Sequence, residues 1–199
     1  IYPKFPKQTF WSRYHTLKEY VPQNEFGLPK SVLPPLALLG LAGHLKKTGA
    51  YDEVVLVDRN VDPRPLELLI ADADHVFMSG MNIQEHSFFA DAYTVQWMGK
   101  PLILGGPIVD EQIVDEKSRL RHLHKNTYFV TGEAEMVIDD LLKDLRKDNK
   151  NTKSNETGHA KSYAEKVYRG RFADPSKFFM PDYSAINPKN YFGMPVQFS

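Results

Sequence analysis

Glycine and small polar residues follow three of the short apolar runs in this chain of 199 residues. The segments are Ser79-Gly80-Met81-Asn82, Gly105-Gly106-Pro107 and Gly132-Glu133-Ala134-Glu135. Glycine permits a positive φ and lets a ligand approach the backbone closely, and a serine hydroxyl can donate or accept a hydrogen bond. Such groups suit a bulky, flat ligand with polar groups at its rim. The alternative is that each glycine only makes the tight turn from a strand into a helix.

These segments are positioned by short apolar runs that alternate with helical segments. Continuous apolar runs at 54–57, 75–78, 101–104 and 127–130 predict strands buried on both faces. The candidate helices span residues 35–47, 65–72, 84–98, 111–122 and 133–147. We interpret Ile1-Tyr2 as the end of a first strand whose start is missing. The pattern predicts an α/β fold, with a doubly wound, flavodoxin-like (Rossmann-like), five-stranded parallel sheet flanked by helices. Ligands of such sheets bind at the carboxyl ends of the strands.

The composition excludes several classes of function. Lys plus Arg and Asp plus Glu both number 25, so the formal net charge is zero, and we expect no binding to nucleic acid. The chain has no cysteine, hence no disulfide, thiolate nucleophile or cysteine metal site. The longest apolar run, residues 33–42, is about half as long as a membrane-spanning helix. We expect no membrane span and a cytoplasmic location; the sequence does not indicate an oligomeric state.

The chain divides into two regions. Residues 1–147 carry the alternation of strands and helices and predict one domain, which includes a long proline-rich loop over residues 3–34. Residues 148–159 are polar and predict a linker, and residues 160–199 contain aromatic residues and prolines without clear periodicity. We interpret 148–199 as a linker followed by an extended segment that packs across a neighbour.

The spacing of Ser79-Gly80-Met81 and Gly105-Gly106 resembles the S-x-L and G-G pair of cobalamin-binding domains. Met81 stands where that family often has leucine, a tolerable exchange of similar volumes. The resemblance implies that the serine and the paired glycines line a channel for the dimethylbenzimidazole tail of cobalamin. It also implies that Pro107 and the turn over 132–135 contact the cofactor.

A wider resemblance covers nearly the whole chain, most weakly over residues 148–172. Segments 10–12, 33–39, 78–81, 104–107 and 132–135, in this order, are similar to the N-terminal half of cobalamin-dependent radical SAM enzymes. Hopanoid C-2 methylases and magnesium-protoporphyrin ester cyclase-like proteins are the nearest likenesses. In such proteins a segment like 191–199 leads into the cysteine loop that holds a [4Fe–4S] cluster.

This resemblance implies a cofactor module whose partner is a C-terminal radical SAM domain in cis. S-adenosylmethionine and the iron–sulfur cluster would then belong to the full-length enzyme only, a methyltransferase or cyclase. The chain alone would have no catalytic residues and no protein ligand to a metal. The substrate would be recognised by the other domain.

One departure from related domains concerns the lower face of the corrin. Methionine-synthase-like domains carry D-x-H-x-x-G after the first strand, whereas residues 2–11 here contain no histidine. The resemblance to the radical SAM branch implies cobalamin bound base-off and His-off. We expect Tyr2, Pro3, Asn82 or Gln84 near that face.

Other interpretations are weaker. Glu133 and Glu135 could form a catalytic carboxylate pair, but acidic residues also favour the first turn of a helix. His122 and His124 could bind a metal, although capping or solvated histidines are more common. Asp58 could be the phospho-acceptor of a receiver domain, but the acidic pair and the lysine of that class are missing, and no G-x-G-x-x-G indicates a nicotinamide site. Two alternatives stay open, a scaffold that has lost cobalamin and a flavodoxin-like enzyme using a flavin or nucleotide.

Overall fold

The computed structural model describes residues 1–6, 23, 26, 31, 33–123, 126–153, 166–172 and 175–191. Its centre is a parallel sheet of four strands in sequence order. The strands are β1 (Val76–Ser79), β2 (Leu102–Gly105), β3 (Thr127–Thr131) and β4 (Val167–Arg169). The register pairs Val76 with Leu102, Leu102 with Thr127, and Phe129 with Val167. The α/β class and the parallel sheet expected from the apolar runs are therefore confirmed, while five strands are not.

Five α-helices connect and cover the strands within the described residues. They are α1 (Leu36–Lys47), α2 (Leu66–Ile70), α3 (Glu85–Trp97), α4 (Pro107–Gln112) and α5 (Ile138–Lys153). Short 3-10 turns precede α3 at Asn82–Gln84 and α5 at Ala134–Met136. No helix in this part of the chain is long and apolar enough to cross a membrane.

The core has two layers because side chains alternate across the strands. One layer joins Met78, Leu104 and Phe129 to α2, α3 and α4, with Phe88 and Phe89 at its centre. The other layer joins side chains of β2 and β3 to α1 and α5. Helices thus cover both faces, and this explains why the strands read as continuous apolar runs.

Two sequence predictions are wrong. Residues 54–57 are not a strand; only the adjacent Asp58 forms a bridge, to Tyr2. The helix expected over 111–122 is instead α4, which starts earlier after the turn at Gly106, followed by a 3-10 turn at Arg119–Leu123. The Asp115 carboxylate accepts from the Lys117 amide at 2.9 Å, and this local hydrogen bond competes with helix continuation.

The carboxyl-terminal region packs on the domain. The sequence pattern did not predict β4, which extends the sheet beyond β3. Further along, the Asp182 amide donates to the Leu39 carbonyl of α1 at 3.0 Å, and Lys46 pairs with the Asp182 carboxylate at 2.6 Å. The ring of Phe179 stacks on His44 at 4.1 Å between centroids. The division into residues 1–147 and 148–199 stays a prediction.

The turn after β3 fits against the turn after β4. Gly132 has a φ of +66°, and a Cβ built on it would lie 2.3 Å from the Gly170 carbonyl oxygen. We expect Gly132→Ala to lower the free energy of unfolding by about 3 kcal/mol, since it adds a backbone clash to the left-handed conformation. Gly49→Ala is the matched control, because Gly49 has a φ of +60° with nothing near its Cβ position, and should cost about 1 kcal/mol. Urea denaturation measures the free energy of unfolding of both variants. Equal losses of stability would contradict the expected backbone clash at residue 132.

Candidate functional site

The candidate residues meet at one edge of the sheet because the strands are parallel. Ser79, the last residue of β1, is the register partner of Gly105, the last residue of β2. Thr131 ends β3 on the other side of β2. The three segments 79–82, 105–107 and 132–135 therefore lie along the carboxyl edge, where doubly wound sheets bind ligands.

Gly106 is required by the packing of the chain itself. Its φ is +88°, and a Cβ built on it would lie 2.5 Å from Ser79 Oγ and 2.9 Å from the Gly80 carbonyl oxygen. The same Gly80 carbonyl accepts a hydrogen bond from the Ile108 amide at 3.3 Å. The interpretation that glycine serves only the turn from strand to helix accounts for Gly106, since the backbone after β1 contacts the start of α4 at this position.

Gly105 differs from its neighbour. A Cβ built on it would meet only Val130, with the carbonyl oxygen at 3.5 Å and Cβ at 3.7 Å. These are ordinary van der Waals distances, so no internal clash requires glycine here. Beside it, the Ser79 hydroxyl is half-buried. The chain itself would therefore tolerate a Cβ at Gly105, in contact with Val130.

The turn after β3 carries the predicted residues 132–135. The Gly132 amide donates to the Asp110 carboxylate of α4 at 2.9 Å, which connects the exits of β2 and β3. Glu133 precedes the 3-10 turn that contains Ala134 and Glu135. The helix expected from residue 133 begins only at Ile138, so these two acidic residues lie before its first turn, which contains Asp139 and Asp140.

The residues expected near the lower corrin face are held by internal hydrogen bonds. Gln84 is fully buried; its Nε2 donates to the Pro3 carbonyl, and its Oε1 accepts from the Met81 amide at 2.9 Å. Asn82 donates to the Glu111 carboxylate of α4. Burial, and then the nearby Asp58 carboxylate, raise the pKa of Tyr2 to about 12. Gln84 thus connects the loop after Tyr2 to the exit of β1.

A buried aspartate lies next to this loop. Asp58 is 3% exposed, and its Oδ1 accepts from the Asn60 amide at 2.9 Å and from Asn60 Nδ2 at 2.8 Å. Its Oδ2 accepts from the Tyr191 hydroxyl at 3.0 Å. Both carboxylate oxygens are engaged, which does not suit the exposed phospho-acceptor of a receiver domain. The Tyr191 contact was missed, because no local pattern indicates a pair 133 residues apart.

Metal ligation has no support in the described part of the chain, where no three His, Cys, Asp or Glu side chains cluster. His122 lies in the 3-10 turn Arg119–Leu123. His124, its suggested partner, and the segments 10–12 and 192–199 lie outside the described residues.

The fold and the carboxyl edge of the sheet define the chain as a parallel α/β domain in which glycine residues lie at the ends of the strands. Comparisons with models of protein families, with curated proteins and with solved structures found no match to this chain. No family assignment follows from them.

Burial of Asp58 makes the free energy of unfolding depend on pH, and the direction of this dependence can be stated. Burial raises the pKa of its carboxyl group, so the folded state holds this proton more tightly than the unfolded state. The free energy of unfolding should therefore fall as the pH rises from about 4 through the raised pKa. We expect Asp58→Asn to gain stability relative to the parent over this range, by at most about 1.4 kcal/mol per pH unit.

Tyr191→Phe is the control for this effect, because it removes a hydrogen bond that lowers the pKa of Asp58. Its loss of stability relative to the parent should grow over the same pH range. Urea unfolding between pH 4 and 8 measures the three proteins. A difference between Asp58→Asn and the parent that is independent of pH would contradict the assignment.

Proposed function

We propose that this chain is a cobalamin-binding domain of a radical SAM enzyme, a methyltransferase or cyclase, which holds cobalamin base-off and His-off. The observation that carries this proposal is the register pairing of Gly105 with Ser79 at the carboxyl edge, at a position where a Cβ would make only ordinary contacts, with Val130. Packing explains the glycines at 80, 106 and 132, whose Cβ positions clash within the chain, but it does not explain Gly105. A glycine with no internal requirement, paired in register with a serine at the carboxyl edge, fits a ligand that needs space there.

The residues present fit the nucleotide tail of cobalamin at this position. The Ser79 hydroxyl can donate to a ring nitrogen of the tail, and Gly105, Gly106 and Pro107 offer backbone without bulky side chains. Segments 80–82 and 132–135 lie along the same edge, although the Met81 and Gly132 amides already donate to Gln84 and Asp110. The formal net charge of zero agrees with a ligand bound mainly by contact area and hydrogen bonds.

The loop that would face the lower side of the corrin is preorganised by the protein. Gln84 fixes Pro3 through its carbonyl, and Ser87 Oγ donates to the Lys4 carbonyl. Since both ends of the Gln84 amide are in use, its role is to position Tyr2 and Pro3, and it is not a cobalt ligand. Preorganised backbone lowers the entropic cost of binding.

When bound, methylcobalamin would supply a methyl group that is transferred to a substrate carbon radical. This chain would hold and orient the cofactor. S-adenosylmethionine, the [4Fe–4S] cluster and the substrate would belong to a C-terminal radical SAM domain in cis. The described chain should therefore bind cobalamin without turnover.

A scaffold domain that has lost cobalamin is the second candidate. The observation that favours it is that Gln84 and Asp58, the most buried polar side chains near the edge, are satisfied internally. A standalone enzyme using a flavin or nucleotide is the other interpretation left open by the sequence.

Cobalamin binding can be tested on the purified chain. We expect the protein to retain hydroxocobalamin after desalting, with a base-off visible spectrum. Gly105→Ala should weaken binding by about tenfold or more, equivalent to about 1.4 kcal/mol, because the added methyl group lies at the edge where the tail would bind. Its ordinary contact distances predict little change in the free energy of unfolding.

Gly99→Ala, three residues before β2, is the control: nothing lies within 4 Å of its Cβ position, and its φ of +71° predicts a loss of stability of about 1 kcal/mol. It should bind cobalamin as the parent does. Colourless parent protein would refute the cobalamin proposal, and retention of flavin mononucleotide or a nucleotide in parallel incubations would favour the third interpretation. Equal affinity of the parent and Gly105→Ala would refute the assigned position of the tail.

A further inference from the structure

Residues 182–191, here called the strap, are attached to the rest of the domain at two separate points. At one end, the Asp182 amide donates to the Leu39 carbonyl of α1 at 3.0 Å. At the other end, Tyr191 is buried, and its hydroxyl donates to Asp58 Oδ2 at 3.0 Å. The second attachment is therefore made to a buried carboxylate.

Asn60 continues this second attachment away from the strap. Asp58 Oδ1 accepts from the Asn60 amide at 2.9 Å and from Asn60 Nδ2 at 2.8 Å. The same Nδ2 donates to the Pro3 carbonyl at 3.2 Å, and Asn60 Oδ1 accepts from the Phe5 amide at 2.8 Å. A side-chain amide has two N–H donors, so both are used. Asp58 thus fixes the orientation in which Asn60 holds the backbone of Pro3 and Phe5.

Gln84 extends the hydrogen bonds from Pro3 to the carboxyl edge. Its Nε2 donates to the Pro3 carbonyl, which also accepts from Asn60. Its Oε1 accepts from the Met81 amide at 2.9 Å, and Met81 directly follows the exit of β1 by one residue of glycine. The resulting series of hydrogen bonds is unbroken and runs through Tyr191, Asp58, Asn60, Pro3, Gln84 and Met81.

Burial makes the members of this series depend on one another. Tyr191, Asp58 and Gln84 are 5%, 3% and 0% exposed, so water has little access to replace a lost partner. A buried polar group that loses its partner carries the full cost of its desolvation. Hydrogen bonds to an ionised carboxylate are also stronger than those between neutral groups. Removal of the Tyr191 donor therefore weakens the hold of Asp58 on Asn60.

We propose that Tyr191 is a positioning residue for the carboxyl-edge site, and that this series of hydrogen bonds couples the strap to ligand binding. With Tyr191 in place, Asp58 and Asn60 hold residues 3–5 in the position where the lower face of the corrin would lie. Release of the strap loosens that backbone. Because coupling between two sites is reciprocal, a ligand at the edge also holds the strap. The identity of the ligand rests on the proposed function, whereas the coupling of Tyr191 to Met81 does not.

Amide hydrogen exchange tests the coupling without a ligand. Tyr191→Phe removes only the hydroxyl, and we expect the amides of Phe5 and Met81 to exchange about threefold faster or more than in the parent. Tyr168→Phe is the matched control, because it also removes a tyrosine hydroxyl that donates to a carboxylate, Asp144 Oδ2 at 2.7 Å. It should leave both amides at the parent rates.

Asn60→Ala gives a second test, because it interrupts the series between Asp58 and Pro3. In this background Tyr191→Phe should no longer accelerate exchange of the Met81 amide. Substitutions that act through one shared network are not additive, whereas independent ones are. The parent, the two single variants and the double variant complete the cycle.

Two results would overturn the coupling. One is a change in Tyr191→Phe that is equal at Phe5, at Met81 and at the sheet amides of Leu104 and Phe129, since it would report only a loss of stability of the whole domain. The other is an additive effect of Tyr191→Phe on Met81 in the Asn60→Ala background. Unchanged exchange at Phe5 and Met81 would contradict the proposal in the same way.

Binding of hydroxocobalamin tests the positioning role. We expect Tyr191→Phe to bind it about threefold more weakly or worse and Tyr168→Phe to bind it as the parent does. In the parent, bound hydroxocobalamin should also slow exchange of the Asp182 amide. Equal affinities of the parent and Tyr191→Phe would overturn the positioning role. A parent that binds no hydroxocobalamin would refute the proposed function instead, and the exchange rates would still decide the coupling.

Discussion

The register of the parallel strands is the constraint on which the rest of the structure depends. Because Ser79 pairs with Gly105, and β3 and β4 continue in the same direction, the strand exits align along one edge. A shift by one residue would turn every side chain of a strand to the opposite face. The two apolar layers formed by helices on both faces fix this register, and the register brings the glycine and serine residues together.

Polar side chains buried near the carboxyl edge stabilise the loops next to the strands. Gln84 holds Pro3, and Asp58 holds Asn60 and Tyr191. Removing one partner of a buried hydrogen bond typically costs about 1–3 kcal/mol. Gln84 thereby holds the Pro3 backbone in a defined position beside the exit of β1.

The sequence predicted the elements whose signals are local. The runs at 101–104 and 127–130 form strands because their own side chains fill both layers, and α1 and α3 lie where the helical pattern predicted. The run at 54–57 has the same apolar character, but a strand also needs a neighbouring backbone, and only Tyr2 pairs beside it. β4 has three residues and exists because it pairs with β3, so no apolar run indicated it.

The candidate site was predictable in its location but not in its detail. Glycine after an apolar run indicates a strand exit, and parallel strands bring such exits together. Which glycine is required by packing and which is not depends on distances between segments, as the contrast between Gly106 and Gly105 shows. The bonds of Gln84 and Tyr191 connect residues distant in sequence, so no spacing pattern could reveal them.

The central claim is that the carboxyl edge at Ser79 and Gly105 accepts the nucleotide tail of a base-off corrinoid. Competitive binding of hydroxocobalamin and of cobinamide, the corrinoid that lacks this tail, measures it most directly. The account predicts that hydroxocobalamin binds at least about tenfold more tightly, a difference of about 1.4 kcal/mol. Equal affinities for the two corrinoids would contradict it.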